Sequence, residues 1–459
     1  MATAIDQRDT DRLDTGSDAV RLDAVRLDMA GERPLATAER DDLILKGAAL
    51  LFCMFAVRDA LTGMLRYVFQ LTHLSPLWFV PDALAFAAFG YFVWHFAIQK
   101  GSSFAIITVL STIAATAVSI IFMSWTPGLV ASSVKSFLPI FVGFVCCGHS
   151  IVRLPAVRLC LAVMSAVSAI GLIFAPHIAY PWVGMDIDSF NGLRNISRVW
   201  WIAGKVRYGG FAGDSTMAAF MALFPYVMVY RWTPKWLNVA ILPILLWAIQ
   251  ISTNRTALLA WIVFVLYFLV VEVALPLHRR LDVSRLLAKL SFTMVLVPFI
   301  LVFTLSGAGL DKMSSSLMSL QDRIDNSWQL PFKYLQDIFP IGFFTGCGLG
   351  CFAYPMKFSQ MDQYNVPVDN FYMTTYLMLG LPFIAIMAGM FFSCGKTRDR
   401  TKLLLILMLN VYSVTVQCYG PAFATLLIGY AFSDMFLTGG DGWRRRLPSR
   451  SARRELAGA

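Results

Sequence analysis

The chain has 459 residues, of which 58% are hydrophobic and only 14% charged, with a mean hydropathy of +0.64. No soluble globule needs that much apolar surface, whereas a stack of apolar runs of roughly 20 residues does. Composition therefore excludes a soluble enzyme and predicts an all-α polytopic integral membrane protein, because the runs are too long for barrel strands and each must satisfy its own backbone. The net charge of +10 conceals a split: residues 1–42 hold eleven acids against six arginines, so that tail carries −5 and the remainder +15. The positive excess belongs to loops that stay inside, so nucleic acid is not an expected partner.

Residues 1–42 are polar and contain a direct repeat, Ala19–Asp23 followed by Ala24–Asp28. With so little apolar content the segment is expected to be a disordered tail. It lacks the basic start and small-residue cleavage site of a signal peptide, so the first span is expected to be an uncleaved anchor. Twelve apolar runs follow, near 43–68, 78–98, 104–123, 129–148, 158–175, 214–230, 237–251, 256–276, 288–305, 370–393, 402–418 and 421–437, and they predict about 12 transmembrane helices. A second tail, 438–459, is basic.

Short-loop cations set the orientation. Lys100, Arg153, Arg158, Arg231, Lys235, Arg279, Arg280, Arg285, Lys289, Lys396, Arg398, Arg400, Lys402 and the Arg444–Arg446 cluster all fall on one side, which places that side and both termini in the cytoplasm. Two outward segments are long, about 176–213 and 306–369, and long ordered loops in a compact bundle usually carry function. No internal repeat is visible, which argues against transporter folds built from duplicated halves. The last two runs are joined only by Gln417–Pro421, read as a tight turn. Arg58, Asp59 and Lys135 lie inside apolar runs without an evident role.

Eight cysteines are scattered, six of them within apolar runs, and small packing residues are the expected role. A disulfide between Cys347 and Cys351 is not deducible from their spacing. No Walker loop, His-Glu-x-x-His helix, nucleophile elbow or dinucleotide fingerprint is present, and neither a cofactor nor a metal is called for.

Cations on the outward side stand against the charge rule. Lys312, Lys333 and Lys357 read as ordinary loop charges, but Arg207 and Arg255 each lie at the mouth of an apolar span. Arginine at that depth is costly without an anionic partner, and its fork suits phosphate oxygens. Together they suggest a pyrophosphate site, with Arg198 and Arg323 as further contacts. Glycines follow Arg207 and lead to Asp214-Ser215, which reads either as a helix cap or as part of the site. Asp369-Asn370 opens the tenth run; the acid could cap the helix, or hold a carboxylate beside the arginines to accept a proton from a sugar hydroxyl. The turn Gly346–Gly350 offers bare backbone at Gly348 to a substrate.

On these residues the chain resembles the O-antigen ligase and polysaccharide polymerase superfamily of bacterial envelopes, which includes Wzy-type polymerases. The anchors are Arg207 with the following Gly-Gly, Asn254-Arg255 before an apolar span, and the Asp369-Asn370 junction. Ligases of the family carry His, then Asn, Ser or Gln, then nine residues, then Gly; here Asp369, Asn370 and Gly380 keep the spacing without the His. The resemblance implies a GT-C-like membrane glycosyltransferase of the bacterial inner membrane with two long periplasmic loops. It further implies polymerisation of repeat units delivered on a polyprenyl-diphosphate carrier, with a chain-length regulator among the partners. Arg207, Arg255 and Asp369 would then be catalytic, and Asn370, Arg323, Arg198, Asp214 and Gly348 would contact substrate. Two other readings are a ligase moving finished polymer to lipid A core or another acceptor, and a lipid-linked sugar flippase or exporter.

Overall fold

A computed structural model describes residues 39–124, 126–189, 192–197, 200–202, 205–307 and 317–437. Both expected tails lie outside the described residues, apart from 39–42, which already belong to the first helix; Arg198 and Lys312 lie outside them as well.

The fold is helical. In order the helices are α1 (Glu39–Ala60), α2 (Thr62–Leu71), α3 (Ser75–Gln99), α4 (Ser103–Phe122), α5 (Pro127–Val145), α6 (Pro155–Phe174), α7 (Ser215–Val229), α8 (Lys235–Ser252), α9 (Arg255–Ala274) and α10 (Leu277–Leu305). They continue with α11 (Met318–Asp322), α12 (Leu330–Ile338), α13 (Phe371–Leu379), α14 (Pro382–Lys396), α15 (Arg400–Tyr412) and α16 (Ala422–Phe436). The first long loop contains two small antiparallel hairpins, β1 (Asp186–Ser189) with β2 (Gly192–Asn195) and β3 (Trp200–Ile202) with β4 (Lys205–Arg207).

Among the described residues, seven helices are long and apolar enough to cross a membrane: α3, α4, α5, α6, α8, α9 and α10. The pair α1 and α2, bent by 88°, makes an eighth if it counts as one span. This is fewer than the twelve spans expected because the other apolar helices are shorter, α7 and α14 at 15 residues and α15 at 13. The run at 214–230 became the 15-residue α7, in which nearly every side chain is covered by protein, and α15 and α16 are enclosed in the same way. A helix that is apolar all round belongs inside a bundle as readily as in lipid, and hydropathy alone does not separate the two. The buried α16 crosses α5 with Gly143 and Gly429 at the contact, where small residues let backbones approach.

The run at 370–393 is broken. Gly380 has φ +67° and ψ −147°, and a Cβ there would sit 2.3 Å from the Phe344 carbonyl, so only glycine ends α13 in this way. The end of α13 leaves carbonyls without helical partners, and the second long loop supplies them: Cys347 N donates to Leu377 O at 2.8 Å and Gly348 N to Met378 O at 3.2 Å. Here the cysteine expectation needs correction. Cys347 and Cys351 form a disulfide, with Cα atoms 5.9 Å apart, that closes this inserted turn; the other six cysteines are free thiols.

Two ends of the bundle are distinct. At one, Glu272 is paired with Arg280 at 3.0 Å and Arg400 at 3.4 Å, and Lys402 with Asp434 at 2.8 Å. At the other lie the bend between α1 and α2, both long loops and the segment 413–421 between α15 and α16.

Candidate functional site

Three of the helices that begin at the loop end are opened by capping side chains next to the expected site residues. Asp214 Oδ1 accepts from the amides of Thr216 and Met217 at 2.9 and 3.0 Å and opens α7. Asn254 accepts from Ala257 N at 2.9 Å and opens α9. Asn370 accepts from Met373 N at 2.8 Å and opens α13. Their N-terminal dipoles add positive potential to the same end of the molecule.

The segment 413–421 ties these starts together. Val414 O accepts from Asn370 Nδ2 at 3.0 Å, and Ser413 O from the Phe371 amide at 3.2 Å. The Thr415 hydroxyl bonds that of Thr256, the second residue of α9. Gln417 reaches Thr374 at 3.4 Å, and the Tyr419 hydroxyl meets Thr375 at 2.8 Å. What the sequence suggests is a tight turn is therefore the strap that holds α9 against α13.

Charges gather over this strap. Arg207 ends β4, half-buried, and its Nε has no hydrogen-bond acceptor. Burial lowers its pKa; Asp214 and, more weakly, Asp369 oppose that, while Arg323 adds to it. These groups therefore share one field. Arg323 Nε lies 3.6 Å from Asp369 Oδ2, and Arg323 Nη1 is held by the Ser319 hydroxyl at 3.0 Å. Burial raises the Asp369 pKa above the usual carboxylate range, against the pull of Arg323 and then Arg207. Its side chain is still 47% exposed, so the carboxylate remains open to a ligand. Arg255 is exposed at the first position of α9, beside the Thr256–Thr415 contact and so at the same mouth.

Of the residues expected at the site, the structure brings Arg207, Arg323, Asp369 and Asp214 into one electrostatic field, and Arg255 opens helix α9 next to the Thr256–Thr415 contact. Asn370 and Gly348 have structural work here that differs from the contacts expected, while Asp214 takes the cap that was one of its two readings. Asn370 is 1% exposed and its amide is spent at both ends, so it positions Asp369 rather than meeting sugar. Asp214 commits Oδ1 to the cap of α7. Gly348 presses on α4: a Cβ there would lie 2.3 Å from the Ser119 amide, so its bare backbone serves packing. Sequence reasoning missed Tyr412, buried within the fields of Arg207 and Asp214, and the strap residues Thr415 and Gln417. The polar alternation Ser413, Thr415, Gln417 at the end of an apolar run was the available signal.

No known protein family, curated protein or solved structure matches this chain.

Proposed function

We propose that the protein is an inner-membrane polymerase of exopolysaccharide or O-antigen repeat units, acting on polyprenyl-diphosphate-linked glycans at the periplasmic face. The observation that carries this reading is the convergence of Arg207 and Arg323 on the half-exposed carboxylate of Asp369, over three helix N-termini. Such a site pairs an anion cradle with a proton acceptor, which is what transfer of a glycan from a diphosphate needs. Orientation is supported from both ends. The cations of the short loops crowd the end opposite the site, as expected for a cytoplasmic side. The Cys347–Cys351 disulfide lies at the site end, as expected for an oxidising compartment.

In this reading Arg207 and Arg255 hold the donor diphosphate. The acceptor hydroxyl oxygen attacks the anomeric carbon and forms the new glycosidic bond as the carbon–phosphate-oxygen bond breaks. The hydroxyl proton passes to Asp369 and the electron pair leaves on the diphosphate, whose added charge the guanidinium groups stabilise. Arg323 is the largest charge opposing the rise that burial imposes on the Asp369 pKa. Arg255→Ala tests the assignment: the variant should insert normally, and cells carrying it should hold only single or very short repeats. Long polymer from that variant would end the reading.

A pH profile tests Asp369 separately. The base form is lost as pH falls through the raised Asp369 pKa, so chain growth should fall off at a higher pH than an exposed carboxylate would give. Arg323 is the main group opposing that rise, so Arg323→Ala should move the acid limb further toward neutrality. An acid limb that stays in place in Arg323→Ala would show that another group titrates.

A further inference from the structure

The Cys347–Cys351 bond joins residues four apart in sequence. So short a loop restricts little of the unfolded chain, and the weight of the bond therefore lies in the geometry it fixes in the folded protein. Both cysteines are fully buried. Around them one apolar cluster gathers Ile324, Phe352, Val368 and Leu377. Two of these are chain neighbours of the charged pair at the site: Ile324 follows Arg323, and Val368 precedes Asp369. The bond stands in the core on which the Arg323–Asp369 pair is mounted.

The bonded turn also grips α13 at both ends. At the foot of the helix the Cys347 and Gly348 amides serve the Leu377 and Met378 carbonyls, and Cys347 Sγ lies 3.2 Å from Leu377 O. Directly after Cys351, Phe352 takes up the left-handed backbone region with φ +50°, a costly conformation for a bulky residue. From there its carbonyl accepts from the Val368 amide at 3.1 Å, at the head of α13, and from Gln417 Nε2 of the strap at 3.5 Å. On its other side the turn is locked to α4, where Leu349 N donates to Ala115 O at 3.2 Å and Ser119 Oγ to Leu349 O at 3.1 Å. A staple for the end of α13 needs only the first of these grips. The second reaches past the nine residues of the helix to the backbone that carries Asp369.

We propose that Cys347 and Cys351 are positioning residues for the proposed reaction: their bond holds Asp369 against Arg323, so that the site is assembled only in the oxidised chain. The bond forms by exchange with a protein disulfide outside the cytoplasm, which takes up the two protons and two electrons and is left as a dithiol. Until then the transferase is idle. The role in catalysis rests on the polymerase reading; the tie between the bond and the carboxylate does not.

Two readouts separate them. The full chain in nanodiscs is compared with two bondless variants, Cys347→Ala/Cys351→Ala and Cys347→Ser/Cys351→Ser. Amide exchange followed by mass spectrometry needs no substrate: peptides covering 346–349 and 366–370 should exchange about tenfold faster without the bond, while the starts of α7 and α9 keep their protection. With lipid-linked repeats, kcat should fall about 10–100-fold, as for a displaced reacting group, with KM for the donor little changed. The charged groups that act on Asp369 are Arg323, Asp322 and Arg207. Loss of the Arg323 contact raises the carboxyl further, so the acid limb should move toward neutrality, and adding Arg323→Ala to a bondless variant should move it no further. Faster exchange confined to 346–349, or protection lost from α7 and α9 as well, would make the bond a structural staple and overturn the inference. A bondless variant with the wild-type rate and acid limb would overturn it too, and would leave the polymerase reading standing. Faster exchange at both ends of α13 in a protein that never joins repeats would uphold the tie and sink the polymerase reading.

Discussion

Arg207→Ala should reduce chain growth by about 10²–10³-fold, the loss typical when one preorganised donor to a developing anion is removed. The residue is placed for that role. It ends a two-stranded hairpin outside the bundle core, so its removal leaves the helix packing untouched. Its Nε has no acceptor, although Asp214 and Asp369 contribute to its field, so the guanidinium is held near the site without being consumed by it. A departing diphosphate gains charge as the glycosidic bond to it breaks, and a positioned cation is worth more then than in the bound ground state. Arg207→Lys should recover only part of the rate, since an ammonium gives a point charge where a fork spans two phosphate oxygens. Purified variants assayed with lipid-linked repeats measure this directly. A rate within about twofold of wild type in Arg207→Ala would remove the residue from the mechanism.

The second large effect concerns folding at the opposite end. Lys402 and Asp434 are 1% and 6% exposed and pair at 2.8 Å; the ammonium also donates to Ser433 Oγ and the Cys146 carbonyl, and the carboxylate accepts the Gly148 amide. Removing one partner strands the other charge in the interior, so Lys402→Met should destabilise the protein by about 3–5 kcal/mol. The double variant Lys402→Met/Asp434→Leu should recover much of that, because neither charge then remains to be desolvated. Thermal unfolding in detergent, read as a double-mutant cycle, checks the coupling. Additive losses in the two single variants would show that the groups act independently.

The sequence exposed the class of fold and the crowding of charge at one mouth, because runs of apolar residues and misplaced arginines are local signals. It did not separate lipid-facing helices from protein-enclosed ones. The runs around α7, α15 and α16 look like spans because everything that surrounds them is also apolar. Nor did it show the partners of isolated charges: Arg58 finds Asp82 from a helix 24 residues away, and no periodicity records that contact. The Asp369-Asn370 pair illustrates both outcomes. Its position at a helix start was legible from the polar-to-apolar switch. The division of labour, with Asn370 capping α13 and strapped to Val414 while Asp369 stays open beside Arg323, depends on a segment more than forty residues on. The disulfide was likewise hidden, since the same Gly-rich spacing suits free thiols; it follows from the turn being inserted against the end of α13.

The most direct measurement is reconstitution. Purified protein in proteoliposomes, supplied with polyprenyl-diphosphate-linked repeat units and with no ion gradient, should produce glycans of two or more repeats and release the polyprenyl diphosphate. Repeats that cross the bilayer yet stay single would contradict the account and identify a transporter instead.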